Sequence, residues 1–240
     1  MRCGDRICHQ TAPSCDEEVS LAKICRRAVL AGLFANCAFG PSAQASFLIG
    51  ARQQREGGDP KFAPRDIYAQ VRDGDFVVPK VNYIKLNPRF LRQRVDPPRQ
   101  APPGTILVSV TEHHLYFVNE DGSAIRYGVG VGKQGYLWKG VGRIARVAAW
   151  PRWTPTSDMR ARLPELESHK DGVEGGLQNP LGARALYIYQ NGHDTLYRVH
   201  GTPEWWSVGR SVSSGCIRML QQDVIDLSKR AVTGASIIVY

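Results

Sequence analysis

Beyond residue 37 the sequence has one cysteine, Cys216, although the chain holds six. The other five, Cys3, Cys8, Cys15, Cys25 and Cys37, crowd the amino-terminal stretch. Their spacings form no paired CxxC framework, which leaves no recognisable zinc motif there. His113, His114, His169 and His193 make no convincing metal pair either. The marked apolar run, residues 28–39, is too short to span a bilayer as a permanent helix, which takes about 20 apolar residues. The net charge is +9, yet the charge is scattered, with no Lys/Arg-rich run and no nucleic-acid motif. Nucleic-acid binding is therefore not expected. Acidic peptides or a polyanionic envelope suit the balance. Repeats and low-complexity tracts are also missing. What remains is an ordinary globular composition, with room for one domain of roughly 130–150 residues plus extensions.

The amino-terminal stretch reads as an export signal. Arg26-Arg27 precede the apolar run, and Ala43-Gln44-Ala45 supplies a small-residue cleavage site. Cleavage after Ala45 leaves a mature chain that starts at Ser46 and keeps one cysteine, six less five. The twin arginines permit a folded-export route, but their surroundings favour the general secretory one. Cys37 is a poor lipid-anchor site, because Asn36 precedes it where a small residue is expected. Residues 1–20 are polar and suggest a start assigned too early, with Val19 and Leu21 as alternatives. The expectation is an exported, periplasmic or envelope protein with no stable membrane span in the mature chain. A lone thiol there is buried and inert, paired between chains, or reactive.

The mature chain divides at a proline-rich boundary. Residues 46–103 are polar, basic and proline-punctuated, and read as a linker and packing arm. Within them 76–78 and 81–86 are candidates for short strands or extended segments. From Thr105 the pattern changes. Residues 105–110, 115–118, 124–131, 142–150, 185–189, 195–200 and 236–240 are strand candidates. Asn119-Glu120-Asp121-Gly122 and Asn191-Gly192 mark turns, and 164–176 reads as a polar loop with room for one helical turn. Residues 128–133 carry glycines at alternate positions without the Ser or Thr of a phosphate loop. They predict a strand that another backbone or a ligand approaches closely. Residues 222–232 have helical apolar spacing. The fold class is mainly β, sandwich- or barrel-like, with one short late helix.

The chemistry concentrates in residues 200–219. His200 ends a strand candidate and precedes Cys216 by sixteen residues. A free thiol, pKa about 8.5, is mostly protonated at neutral pH. A neighbouring imidazole can take that proton and give a thiolate–imidazolium pair. Ser213, Ser214 and Gly215 leave backbone N–H groups open beside the sulfur, as an oxyanion hole requires. The pattern predicts Cys–His nucleophilic catalysis on an acyl group.

Val199-His200-Gly201-Thr202, Ser207-Val208-Gly209-Arg210 and Ser213-Ser214-Gly215-Cys216-Ile217-Arg218-Met219 closely resemble the active-site signature of the bacterial L,D-transpeptidase catalytic domain. Pro103-Gly104-Thr105 with Leu115-Tyr116 is similar to its opening hairpin. Asn179-Pro180-Leu181-Gly182 with Ala185-Leu186 is similar to its central loop and strand. The resemblance covers residues 104–240, behind an export signal at 1–45 and a linker at 46–103. It implies an exported cysteine transpeptidase with a mostly β fold and neither metal nor cofactor. Such an enzyme would take a peptidoglycan tetrapeptide stem onto its thiol, release D-alanine, and pass the acyl group to an amine in a 3–3 cross-link. The alternative is attachment of envelope proteins to peptidoglycan, or hydrolysis of such links. Cys216 would be the nucleophile, His200 the base and acid, and the Gly201 carbonyl the third member. Ser214 departs from the histidine common in the family. Trp206 either walls the acyl pocket or packs as a lid. Arg218 either binds a stem carboxylate or makes a structural ion pair, and Ser213 is a further substrate-side candidate. Trp150 and Trp153 are expected to pack beneath a substrate loop, and His113 and His114 to lie at the surface. A sortase-like rival places its histidine and arginine differently, and a papain-like one reverses the order. A non-catalytic wall-binding module has no need of His200 and Cys216.

Overall fold

A computed structural model describes residues 60–133, 138–213 and 215–240. The expected export signal and the first part of the linker lie outside them. Among the described residues no helix is long and apolar enough to cross a membrane.

The strands are β1 (Val71–Asp73), β2 (Phe76–Val78), β3 (Gln93–Val95), β4 (Ile106–Ser109), β5 (His114–Val118), β6 (Ala124–Gly128), β7 (Val131–Gly132), β8 (Gly140–Ala149), β9 (Arg184–Gln190), β10 (His193–Gly201), β11 (Ser211–Ser213), β12 (Ile217–Met219) and β13 (Ser236–Val239). The helices are α1 (Pro64–Ile67), α2 (Ser157–Arg162) and α3 (Gln221–Arg230). Nine strands form one mixed sheet in the order β12-β10-β9-β8-β13-β4-β5-β6-β3. The mainly β reading holds, and α3 is the late helix. The sequence did not signal the short α1 and α2.

β4 and β5 are buried throughout and almost wholly apolar, because both faces of the sheet are covered there. Ile106, Val108, Leu115 and Phe117 face the main core, while Leu107, Tyr116 and Val118 face a second cluster with Val95 and Tyr240. α3 buries Val224 and Leu227 in the main core against Leu186, Val199 and Met219. Each fully buried aliphatic side chain contributes about 1.5–3 kcal/mol. Asp223 in its first turn and Lys229 and Arg230 in its last complement the helix dipole. Position 114 departs from the expected pattern: His114 is buried, its Nε2 2.9 Å from the Arg89 carbonyl. His113 stays partly exposed at φ 58°.

The arm lies against this sheet. Residues 81–86 are not a strand. Lys85 N and Leu86 N close 3-10 bonds to Asn82 O and Tyr83 O, which brings Tyr83 to 6.2 Å from Tyr68 and buries Leu86. Gln222 donates to the Ala69 and Pro79 carbonyls at 3.1 and 2.9 Å. The Asp73 carboxylate takes a two-pronged bond from Arg184 at 2.6 and 2.8 Å and a third from Trp150 Nε1 at 2.8 Å. Arg92 reaches Asp223 and Asp226 on α3 at 3.2 and 2.8 Å, and Tyr68 donates to Asp223 at 3.3 Å.

The glycine-rich stretch meets backbone. β6 stops at Gly128. Gly130 then exchanges two hydrogen bonds with Arg218, and β7 pairs with β11 in parallel. A Cβ at Gly130 would sit 2.6 Å from the Ser207 carbonyl, so only glycine admits that approach.

Candidate active site

β10 and β12 run parallel, with Val199 beside Ile217 and His200 beside Arg218. That register sets the histidine and the residue preceding β12, Cys216, on neighbouring strands despite the sixteen residues between them. His200, Cys216 and Arg218 line one cavity of about 790 Å³. Its other walls come from Trp153, Met159, Leu163 and Leu166 on one side and Thr202, Pro203, Glu204 and Trp206 on the other.

His200 is buried, and its Nδ1 lies 2.6 Å from the Gly201 carbonyl. A carbonyl only accepts, so the proton sits on Nδ1 and Nε2 is the basic nitrogen. Burial drives the ring's pKa down to about 4, against the Gly201 bond that raises it and with Arg218 that lowers it. The Cys216 thiol is pushed up by burial, while Arg198 and Arg218 pull the other way. Burial thus opposes the thiolate–imidazolium pair, while Arg198 and Arg218 favour its thiolate half. Desolvation penalises both charged forms.

The turn that carries Cys216 is held from within. Ser213 Oγ donates to the Cys216 carbonyl at 2.6 Å and accepts from Gly215 N at 3.2 Å. Ser213 thus lines the cavity while its hydroxyl fixes the loop, and in this state it occupies the N–H expected from Gly215 for an oxyanion. Gly215 has φ 130°, open to glycine and strained for other residues. Ser214 lies outside the described residues. Arg218 donates to Glu204 at 2.5 Å, so its ion-pair reading and its place in the cavity wall both hold geometrically. Trp206 is 51% exposed at the rim, edge-on to Trp205 at 6.0 Å.

The thiol's hydrogen bond goes to the Leu196 carbonyl at 4.0 Å. Leu196 has φ 63° within a bulge of β10 between Asp194 and Arg198. Its N–H donates to Asp194 Oδ1 at 2.8 Å, and the Asp194 carboxylate takes both Arg198 Nη atoms at 2.7 and 2.8 Å. Nothing in the spacing of this segment signalled the bulge.

The wall between β8 and β9 was also underread. Thr156 caps α2 through Met159 N at 3.2 Å, and residues 164–169 form a 3-10 turn. Buried Asn179 gathers the loop by donating to the carbonyls of Pro151, Val173 and Glu174. Trp153 bridges to Val173 and lines the cavity. Trp150 does pack, at 4.1 Å from Phe76. His169 closes the 3-10 turn and His193 opens β10. Among the described residues no cluster of three His, Cys, Asp or Glu side chains could hold a metal.

The family model described as the L,D-transpeptidase catalytic domain matches residues 103–239. The chain is 30% identical over 142 residues to "Probable L,D-transpeptidase YcfS" of Escherichia coli (strain K12), covering 57% of this chain and 44% of that protein. It is 34% identical over 125 residues to "Probable L,D-transpeptidase ErfK/SrfK" of the same organism, covering 50% and 38%. The chain thus spans less than half the length of these curated relatives. A solved structure titled a probable carnitine operon oxidoreductase, from Brucella melitensis, is 41% identical, covers 66% of this chain and 99% of that one, and superposes with a TM-score of 0.45. At that TM-score the superposition bears on neither fold nor activity.

Proposed function

The chain belongs to the L,D-transpeptidase catalytic-domain family, and from that premise we propose that it is an exported cysteine acyltransferase acting on peptidoglycan stem peptides. The observation that carries the reading is the shared cavity of Cys216 and His200, fixed by the β10–β12 register. His200 Nε2 takes the thiol proton as Sγ attacks the carbonyl of the stem's third residue. Backbone N–H groups of the 213–216 loop meet the developing oxyanion once Gly215 N turns from Ser213. Collapse of the intermediate breaks the amide bond. D-alanine leaves with the proton from His200, and a thioester remains on Cys216. An amine then attacks the thioester, gives its proton to His200, and restores the thiol as the new amide forms. A buried neutral histidine suits this sequence, because it is an empty base when substrate arrives.

The amine is the side-chain amine of a second diaminopimelate-type stem, giving a 3–3 cross-link. Attachment of an envelope protein is the alternative outcome. Water competes in any open groove. Transfer dominates only where the acceptor is held beside the thioester, with effective molarity that can reach about 10⁵ M or more. Incubation with a defined tetrapeptide stem tests the reading. Intact mass should rise by the stem less D-alanine on Cys216, and cross-linked dimer should follow. No adduct and no dimer, with several stems, would remove the proposal; tripeptide alone would turn it into a hydrolase.

A further inference from the structure

The cavity lies on one side of Cys216. Along its other flank a row of side chains crosses the sheet. In the strand registers Arg146 of β8 stands beside Tyr187 of β9, and Tyr187 beside Arg198 of β10. Stepping the β10–β12 register back by one residue brings Arg198 beside Cys216. Directly paired residues share a face of a sheet, so this row shares the face of the thiol and His200. None of Arg146, Tyr187 and Arg198 lines the cavity.

The row is ordered and positively charged. The Arg146 and Arg198 guanidinium carbons lie 3.8 and 4.3 Å from the Tyr187 ring centroid. Two cations on one ring repel each other unless anions answer them. Asp194 answers Arg198 with two hydrogen bonds. Arg146 is exposed, and among the described residues no carboxylate pairs with it. A guanidinium held flat on an aromatic ring keeps its planar fork of donors available and has less rotamer freedom left to lose on binding a carboxylate.

Distance selects the ligand. Three strand spacings of about 4.8 Å put the Arg146 backbone roughly 14 Å from that of Cys216. At about 3.3 Å per extended residue, and with the arginine side chain reaching back, this spans roughly two to four residues. A short acidic peptide whose amine meets the thioester would set a carboxylate there. Resting on the acyl-transfer reading above, we propose that Arg146, Tyr187 and Arg198 form an acceptor-side subsite, in which Arg146 binds a carboxylate of the incoming peptide. The cavity then holds the acyl donor, and the two peptides meet at Cys216 from opposite flanks.

The test uses the full chain, a tetrapeptide donor, and pairs of acceptor peptides that differ only in a free or amidated carboxylate. The unsubstituted protein should favour the acid over the amide by about tenfold, through KM. Arg146→Glu and Arg146→Gln should bring that ratio close to one with an unchanged Tm, and Arg146→Lys should recover part of it. Equal use of acid and amide by the unsubstituted protein, which needs no variant to fold, would overturn the subsite. So would a preference that survives Arg146→Glu. Intact mass separates the two readings. A thioester whose transfer ignores the carboxylate sinks the subsite alone, and no thioester at all sinks both.

Discussion

Burial acts on His200 and Cys216 in the same sense, toward neutrality, and the pH behaviour of the site follows. A histidine held near pKa 4 stays a base far below the usual imidazole range. The acid limb of kcat/KM should therefore fall near pH 4, not near 6.5, in a pH–rate profile. Iodoacetamide should modify the resting Cys216 slowly at neutral pH and faster only above the ordinary thiol range, because its pKa is raised. A plateau already reached at pH 7 would mean a resting thiolate. Cys216→Ala and His200→Ala should each abolish turnover, and the double variant should be barely worse than either, since the two act as one unit. Modest, additive losses would mean that they work apart. These two residues were legible in the sequence because the lone thiol and the upstream histidine sit in a specific motif. Glu204, the partner of Arg218, was not, because an ion pair across a turn leaves no periodic trace. The burial that weighs on the thiol was not legible either, because spacing shows who is near, not how dry the neighbourhood is.

At the scale of elements, the strands of the sheet were largely legible because β-branched, apolar runs between turn residues mark them. In the arm, residues 76–78 were legible as a short strand, which forms as β2, and the rest only as proline-punctuated polar sequence. Its structure comes from long-range partners, with Asp73 bonded to Arg184 at a separation of 111 residues. The Arg184 and Trp150 groups that Asp73 satisfies lie at the root of the loop that walls the cavity. Asp73→Ala leaves them unpaired, and a lost charge-assisted bond costs about 1.5–3 kcal/mol. The expected result is a lower Tm and faster amide exchange in β1, β2 and the 150–180 loop, seen by mass spectrometry. Exchange confined to the hairpin would mean that the arm does not support the wall. α2 escaped the sequence reading because six residues are too few to show an amphipathic period; its Thr156 cap was the one available sign.

For the molecule as a whole, two buried groups set opposing pH dependences. Unfolded histidine takes a proton below about 6.5, but folded His200 only below about 4. Between those values the unfolded state binds more protons, so stability falls as pH drops. Burial pushes Asp223 up to about 7 against the pull of Arg92. Its contribution is full below about pH 4, declines as pH rises from there through 7, and no longer changes above about 8. Above pH 6.5 His200 no longer changes. A fall in Tm from pH 6.5 to about 7.5 that levels off above it, and that Asp223→Asn flattens, is therefore the expected signature, and a flat unsubstituted profile would show that Asp223 is ionised throughout. The parallel pairing of β10 with β12 has an evolutionary consequence. Backbone register, not the intervening turn, sets how His200 meets Cys216. The 202–212 connection is anchored at Ser207, whose carbonyl packs on Gly130, and at Glu204, which pairs with Arg218, so new substrate rims are open to trial at its exposed positions, such as Trp206, while the strand register stays as it is.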